Sequence, residues 1–154
     1  MLDASSTVLA LAEILPDMEL TVITNAHDTA VPLMGKSKIN VVATGGKLDR
    51  VSLSYGGAIA WSTVRKISVD KAFFSCNGLD LDRGASEVAE IHAEFKENVL
   101  QYCREKILMC DASKFGVRCA RFFADFDMID KVLTDSSADE SFIQKLKGAG
   151  VFVK

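Results

Sequence analysis

Short runs rich in β-branched residues alternate along this chain with stretches whose apolar residues recur every three or four positions. Val8, Leu11, Ala12 and Leu15 share one face of a helix predicted over 7–15, and Pro16 stands just past its end. Leu20–Thr24 is largely apolar, the pattern of a strand covered on both faces. Residues 26–34 predict a short helix limited by Pro32, and Ile39–Ala43 a further strand closed by Gly45 and Gly46. A strand is predicted over 51–55, a helix over 58–67, and a strand over 69–74 that runs into a loop at 75–80. The longest helix carries Val88, Ile91, Phe95, Val99 and Tyr102 on one stripe, with Ser86 as its N-cap and Glu87 in its electropositive first turn. Strands over 106–110 and 131–134 follow. A capping box from Ser137 to Glu140 then opens a helix bearing Phe142, Ile143 and Leu146, and 151–153 is a last strand.

Strands separated by helices throughout predict an α/β fold, a three-layer α/β/α domain with a mostly parallel sheet. In such sheets ligands sit beyond the carboxyl ends of the strands, so the strand-to-loop junctions are the places to look for chemistry. The chain has 154 residues, enough for one domain with one substantial core. Asp3-Ala4-Ser5-Ser6 has the character of a loop that follows a strand, yet almost no strand precedes it. The expectation is therefore that residues 1–154 are a single sensing domain from a longer chain, with most of the first strand upstream.

Composition narrows the partners. A formal charge of −3, with Lys and Arg scattered along the length, is not the clustered basic footprint that grips a phosphate backbone. Any contact with DNA is expected to come from another segment. The four cysteines are far apart and lack paired metal-ligand spacing, which predicts reduced thiols and neither a disulfide framework nor a metal site. There is no signal-peptide core and no apolar run near the ~20 residues of a membrane helix, so a cytoplasmic protein with no membrane partner is expected.

Four junctions offer polar groups. Asp3-Ala4-Ser5-Ser6-Thr7 feeds hydroxyls straight into a helix, where N–H groups and the helix dipole favour an anion, although plain N-capping explains the same residues. Thr24 and Asn25 end the next strand, and Gly45 allows close approach of backbone or simply a turn. Asn77, Gly78 and Asp80 sit in a turn after a buried strand. Lys114, within Asp111-Ala112-Ser113-Lys114-Phe115-Gly116, stands where a lysine can neutralise a phosphate. His92 and Lys96 stack one helical turn apart beside the apolar stripe, where a packing histidine and a snorkelling lysine are the ordinary occupants. The glycines of a nucleotide-binding loop are absent, and no cofactor is expected.

Taken in order, Asp3–Thr7, Thr24-Asn25, Gly45-Gly46-Lys47-Leu48, Asp70–Phe73, Asn77–Asp80, Gly84, Lys96 and above all Asp111–Gly116 resemble the effector-binding domain of DeoR-family regulators. Asp3–Thr7 and Phe74–Gly78 look most like the branch that includes the L-fucose operon activator. The resemblance implies a fold related to ribose-5-phosphate isomerase and CoA transferases, a phosphorylated sugar as effector, and assembly into dimers or tetramers. It also implies an N-terminal winged helix-turn-helix that is not in these residues. It further implies that Ser5, Ser6 and Thr7 hold phosphate with charge from Lys114 and Lys96, and that Asp3 and Gly45 belong to the same site. Thr24, Asn25, Asn77, Gly78 and Asp80 would line the sugar. Two departures from the pattern, His92-Ala93 and Gly84-Ala85-Ser86, leave the identity of the sugar open.

Three functions compete. The first is a sensor that controls a sugar-catabolism operon; the second is an aldose–ketose isomerase using Asp80 as base; the third is a structural oligomerisation module. The isomerase needs a placed base, and Asn77 stands where the related isomerases carry a second carboxylate. The sensor, without catalysis, is the expectation.

Overall fold

A computed structural model describes residues 1–154. Its elements follow the predicted alternation: α1 (Ser6–Ile14), β1 (Leu20–Thr24), α2 (His27–Met34), β2 (Ile39–Ala43), β3 (Lys47–Asp49), β4 (Ser54–Gly56), α3 (Gly57–Arg65), β5 (Val69–Phe74), β6 (Gly78–Asp80), β7 (Gly84–Glu87), α4 (Glu90–Leu100), β8 (Cys103–Met109), β9 (Arg121–Ala124), β10 (Lys131–Leu133), α5 (Glu140–Gly148) and β11 (Phe152–Val153).

Every pairing in the main sheet is parallel: β2 with β1, β5 with β8, β8 with β10, and β10 with β11. Leu2 bridges both Thr24 and Phe73, so Met1–Asp3 lies between β1 and β5 and joins the two halves. Its ladder is regular. Met1 donates to the Lys71 carbonyl at 2.6 Å, the Phe73 N–H donates to the Met1 carbonyl at 2.9 Å, and the Leu2 N–H donates to the Ile23 carbonyl at 2.8 Å. Both faces of the sheet are covered. Val22, Leu2 and Ile39 pack with Val8, Ala12 and Leu33 of α1 and α2, whereas Ile23, Phe74, Leu108 and Val132 pack with α3, α4 and α5. Neighbours Val22 and Ile23 are both buried, which is why β1 reads as a continuous apolar run.

Several sequence expectations shift. Residues 51–55 are not one strand: Val51 is 94% exposed in the turn of the β3–β4 hairpin. Ser86 does not cap the long helix, because its hydroxyl is spent inside a small antiparallel sheet. That hydroxyl donates to the Gly78 carbonyl at 3.2 Å and accepts from the Cys119 N–H at 3.0 Å. Glu87 is the last residue of β7, and α4 begins at Glu90 after Ala89. The helical stripe accordingly loses its two ends, with Val88 and Tyr102 exposed. Asp139, not Ser137, caps α5, accepting from the Phe142 N–H at 2.9 Å. The antiparallel sheet β6–β7–β9 has no counterpart in the predicted pattern, since three- and four-residue strands flanked by turns leave no clear period.

Candidate functional site

The carboxyl ends of three adjacent central segments, Met1–Asp3, β5 and β8, open into one polar cleft of about 320 Å³. Ser5, Ser6 and Thr7 reach it from the first, Ser75, Cys76 and Asn77 from the second, Asp111 and Lys114 from the third, while Glu87, His92 and Lys96 close it from β7 and α4.

The α1 rim is built by its cap. Ser5 donates its hydroxyl to Asp3 Oδ1 at 2.6 Å and accepts from the Val8 N–H at 3.2 Å, so its side chain is fully engaged in ending the helix. Ser6 and Thr7 occupy the first turn, where backbone N–H groups have no partner within the helix, and their hydroxyls make no bond to the protein. This is a local arrangement suited to an anion.

Lys96 dominates the floor. It is wholly buried, with Nζ 3.0 Å from Asp3 Oδ2, paired to Glu87 Oε1, and 2.6 Å from the Ser75 carbonyl. Burial acts to lower its pKa, but Asp3 and Glu87 together outweigh burial and hold the ammonium above the ordinary lysine range. Three donors meet three acceptors, which leaves none for a ligand. Asp3 in turn accepts from the Ser5 and Ser75 N–H groups, each at 3.0 Å, and so locks two strand ends to α4. Lys96 and Asp3 therefore shape the cleft from behind its surface.

Lys114 differs. It sits on a single 3-10 turn, Ala112–Lys114, capped by Asp111, which accepts from the Ser113 N–H at 2.9 Å. Asp135 accepts from the Ala112 N–H at 2.9 Å, and Phe115 stacks on Phe142 with ring centroids 4.4 Å apart. The loop is anchored at both ends while the Lys114 ammonium makes no ion pair or hydrogen bond. Asn77 is similar: its Oδ1 accepts from the Val88 N–H at 3.2 Å, and its amide N–H₂ is free. The Cys76 thiol, pushed up by hydrogen bonding to Cys110 and by burial, is a neutral part of the wall.

Five of the residues expected at the site, Thr24, Asn25, Gly45, Gly78 and Asp80, do not line this cleft. The Thr24 hydroxyl is buried and accepts from the Ala26 N–H at 3.1 Å. Asn25 donates its amide to the Tyr55 carbonyl at 3.0 Å, tying β4 to the sheet, and its buried Oδ1 has no partner. Gly45 serves the turn after β2, with φ +65°. Asp80 accepts from Arg118 Nε at 2.6 Å and from the Asp82 and Arg83 N–H groups, and Arg118 foremost holds its carboxyl below the usual range. A carboxylate so engaged is a poor general base. Gly78 opens β6, where an added Cβ would lie 2.4 Å from the Val117 carbonyl oxygen, so packing explains its lack of a side chain. Glu87 and His92 also line the cleft, although the sequence pattern marks neither as a site residue. Glu87 reads as a helix-start acid, and only the antiparallel β7 delivers it to the cleft; His92 is signalled by its i, i+4 spacing from Lys96.

In α/β domains, a polar cleft at the carboxyl ends of the central parallel strands is the usual place for a small ligand. The chain belongs to the DeoR family: residues 1–136 match the DeoR C terminal sensor domain. It is 39% identical over 152 residues to the uncharacterized HTH-type transcriptional regulator YulB of Bacillus subtilis (strain 168), covering 99% of this chain and 59% of that protein. It is 30% identical over 154 residues to the HTH-type transcriptional regulator GolR of Listeria innocua, 99% of this chain and 61% of that one. It is also 30% identical over 134 residues to the L-fucose operon activator of Escherichia coli (strain K12), 87% and 55% respectively. The chain thus spans less than two thirds of these relatives. They are regulators by name, in keeping with the expectation of a sensor rather than an enzyme. No helix is long and apolar enough to cross a membrane, and all four cysteines are free.

Proposed function

We propose that this domain senses a phosphorylated sugar in the cleft and passes the signal to a DNA-binding segment of a longer regulator. One observation carries the reading: the unspent donors of Ser6, Thr7, Asn77 and Lys114 converge on one cleft. The phosphate sits at the start of α1 and takes its counter-charge from Lys114, while the hydroxyls meet Asn77 and the α4 side. The relatives named as HTH-type regulators carry roughly 40% of their length outside the matched region. In a longer chain, the segment running into Met1 would enter along the apolar groove bounded by Leu20–Ile23, Val69–Lys71, Leu11 and Leu15. There it would continue the strand that ends at Asp3, giving the ligand a direct mechanical route to the upstream segment. Exposed Val51, Ile59 and Val88 supply apolar surface for a dimer or tetramer.

A thermal-shift screen of pentose and hexose phosphates beside their free sugars tests the reading. A ligand at ~100 times its dissociation constant stabilises the fold by roughly 2.7 kcal/mol. Stabilisation by at least one sugar phosphate, and not by its free sugar, is expected. Equal effects of both, or none at any concentration, would count against it.

A further inference from the structure

Glu87 is not needed to neutralise Lys96, since Asp3 already supplies one full negative charge at 3.0 Å. One buried ammonium facing two buried carboxylates leaves the group with an excess negative charge, and burying a carboxylate without full compensation is costly. The Glu87 side chain is 8% exposed, its Oε1 is held by Lys96, and no hydrogen bond from the protein reaches Oε2. That residual exposure is to the cleft, of which Glu87 is a wall.

The two walls come from opposite faces of the sheet. Ser6 and Thr7 belong to α1, which packs with Val22 and Leu2, whereas Glu87 is held by α4, which packs with Phe74 and Leu108. The cleft therefore has an anion-seeking side and an anion-repelling side.

We propose, building on the sugar-phosphate reading above, that Glu87 is the specificity residue of this site. Its free Oε2 accepts hydrogen bonds from hydroxyls at the unphosphorylated end of the ligand and rejects any ligand that carries a second anion there. A carboxylate–hydroxyl bond is charge-assisted and about twice as strong as a neutral one. A phosphate or carboxylate in its place faces like-charge repulsion in a partly desolvated site and leaves Oε2 unpaired. The chemical class selected is a polyol monophosphate; sugar bisphosphates and phosphorylated sugar acids are excluded. Lys96 is the positioning residue that holds Glu87 by its Oε1 and leaves Oε2 to the cleft.

Titration calorimetry of wild type and Glu87→Gln tests this, using inorganic phosphate, a panel of pentose and hexose monophosphates, fructose 1,6-bisphosphate and 6-phosphogluconate. Glutamine keeps an oxygen for Lys96, and Glu87→Asp, which keeps the charge but withdraws it by one methylene, is the second variant should Glu87→Gln unfold. In Glu87→Gln the best monophosphate is expected to weaken roughly 10- to 100-fold, inorganic phosphate to bind as in wild type, and the two ligands with a second anionic group to gain affinity. Glu87→Asp should weaken the monophosphate while still excluding the bisphosphate. Sugar monophosphates that bind wild type and Glu87→Gln equally would overturn the role of Glu87 and leave the sensor reading standing. Failure of phosphate and every sugar phosphate to bind wild type would overturn both.

Discussion

Two lysines at the same cleft, Lys96 and Lys114, present the same charge and have opposite roles. Lys96 is buried and gives its three protons to Asp3, Glu87 and the Ser75 carbonyl, so it holds strand ends together and offers a ligand nothing. Lys114 is half-buried on a capped turn and gives its protons to no protein group. What a cation does at a site is decided by the donors it has left, not by its distance from the pocket.

The contrast is broken most severely by Lys96→Met. It leaves Asp3 and Glu87 buried without their shared cation, and loss of one partner from a buried ion pair costs about 3–5 kcal/mol. Urea unfolding should show that loss, whereas Lys114→Met should stay within ~0.5 kcal/mol of wild type because the lysine has no partner to lose. Similar midpoints for the two variants would remove the distinction. Next in size, Lys114→Met should weaken a bound sugar phosphate by about 1.5–3 kcal/mol and leave the free sugar unaffected, as expected when one charge-assisted contact goes. Equal losses for both ligands, read by calorimetry, would place the lysine elsewhere.

Gly78→Ala separates geometry from charge. Its Cβ would meet the Val117 carbonyl oxygen at 2.4 Å, and forcing backbone apart in this way typically costs about 1–3 kcal/mol. The turn bearing Asn77 should shift and binding weaken without any change in salt dependence. Unchanged stability would show that β6 relaxes freely.

The smallest effect concerns pH. The Ser137 hydroxyl, with the Ala112 and Ser137 N–H groups, holds the Asp135 carboxyl at about 2. A depressed carboxylate adds stability above its unfolded value near 3.9, and that stability fades as pH falls toward 2. Lys96, whose pKa is raised, has the opposite sign: its contribution is complete below about pH 10.4 and lost only as pH climbs beyond that. Asp135→Asn should therefore flatten the acid limb of a stability profile and leave the alkaline limb alone, while Lys96→Met should remove the alkaline loss that Lys96 contributes. An acid limb unchanged in Asp135→Asn would assign that limb to other carboxylates.

The same division explains what the sequence could tell. The parallel sheet was legible because β1, β2, β5 and β8 each carry a stretch of apolar or β-branched residues that local composition marks, and the Asp111–Gly116 motif pointed to the family through contiguous residues. Ser6, Thr7, Asn77 and Lys114, which line the cleft, were legible as candidates because each lies in a junction that follows a strand. The floor was not. Asp3, Glu87 and Lys96 meet through elements separated by up to ninety-odd positions, and Glu87 arrives on a four-residue strand with no period to betray it. Asp80 and Asn25 lie outside the cleft because a polar residue at a strand end can serve a neighbouring loop as readily as a ligand, and their bonds to Arg118 and Tyr55 are not visible in sequence.

If the cleft at the ends of Met1–Asp3, β5 and β8 takes the phosphorylated ligand, amide chemical shifts should map it during titration with the best sugar phosphate. The largest shifts are expected at Ser6, Thr7, Ser75–Asn77 and Ala112–Lys114, with Asp80, Arg118 and Asn25 little changed. Shifts centred on Asp80 and Arg118, or on Asn25 and Gly45, with Ser6 and Lys114 silent, would contradict that placement.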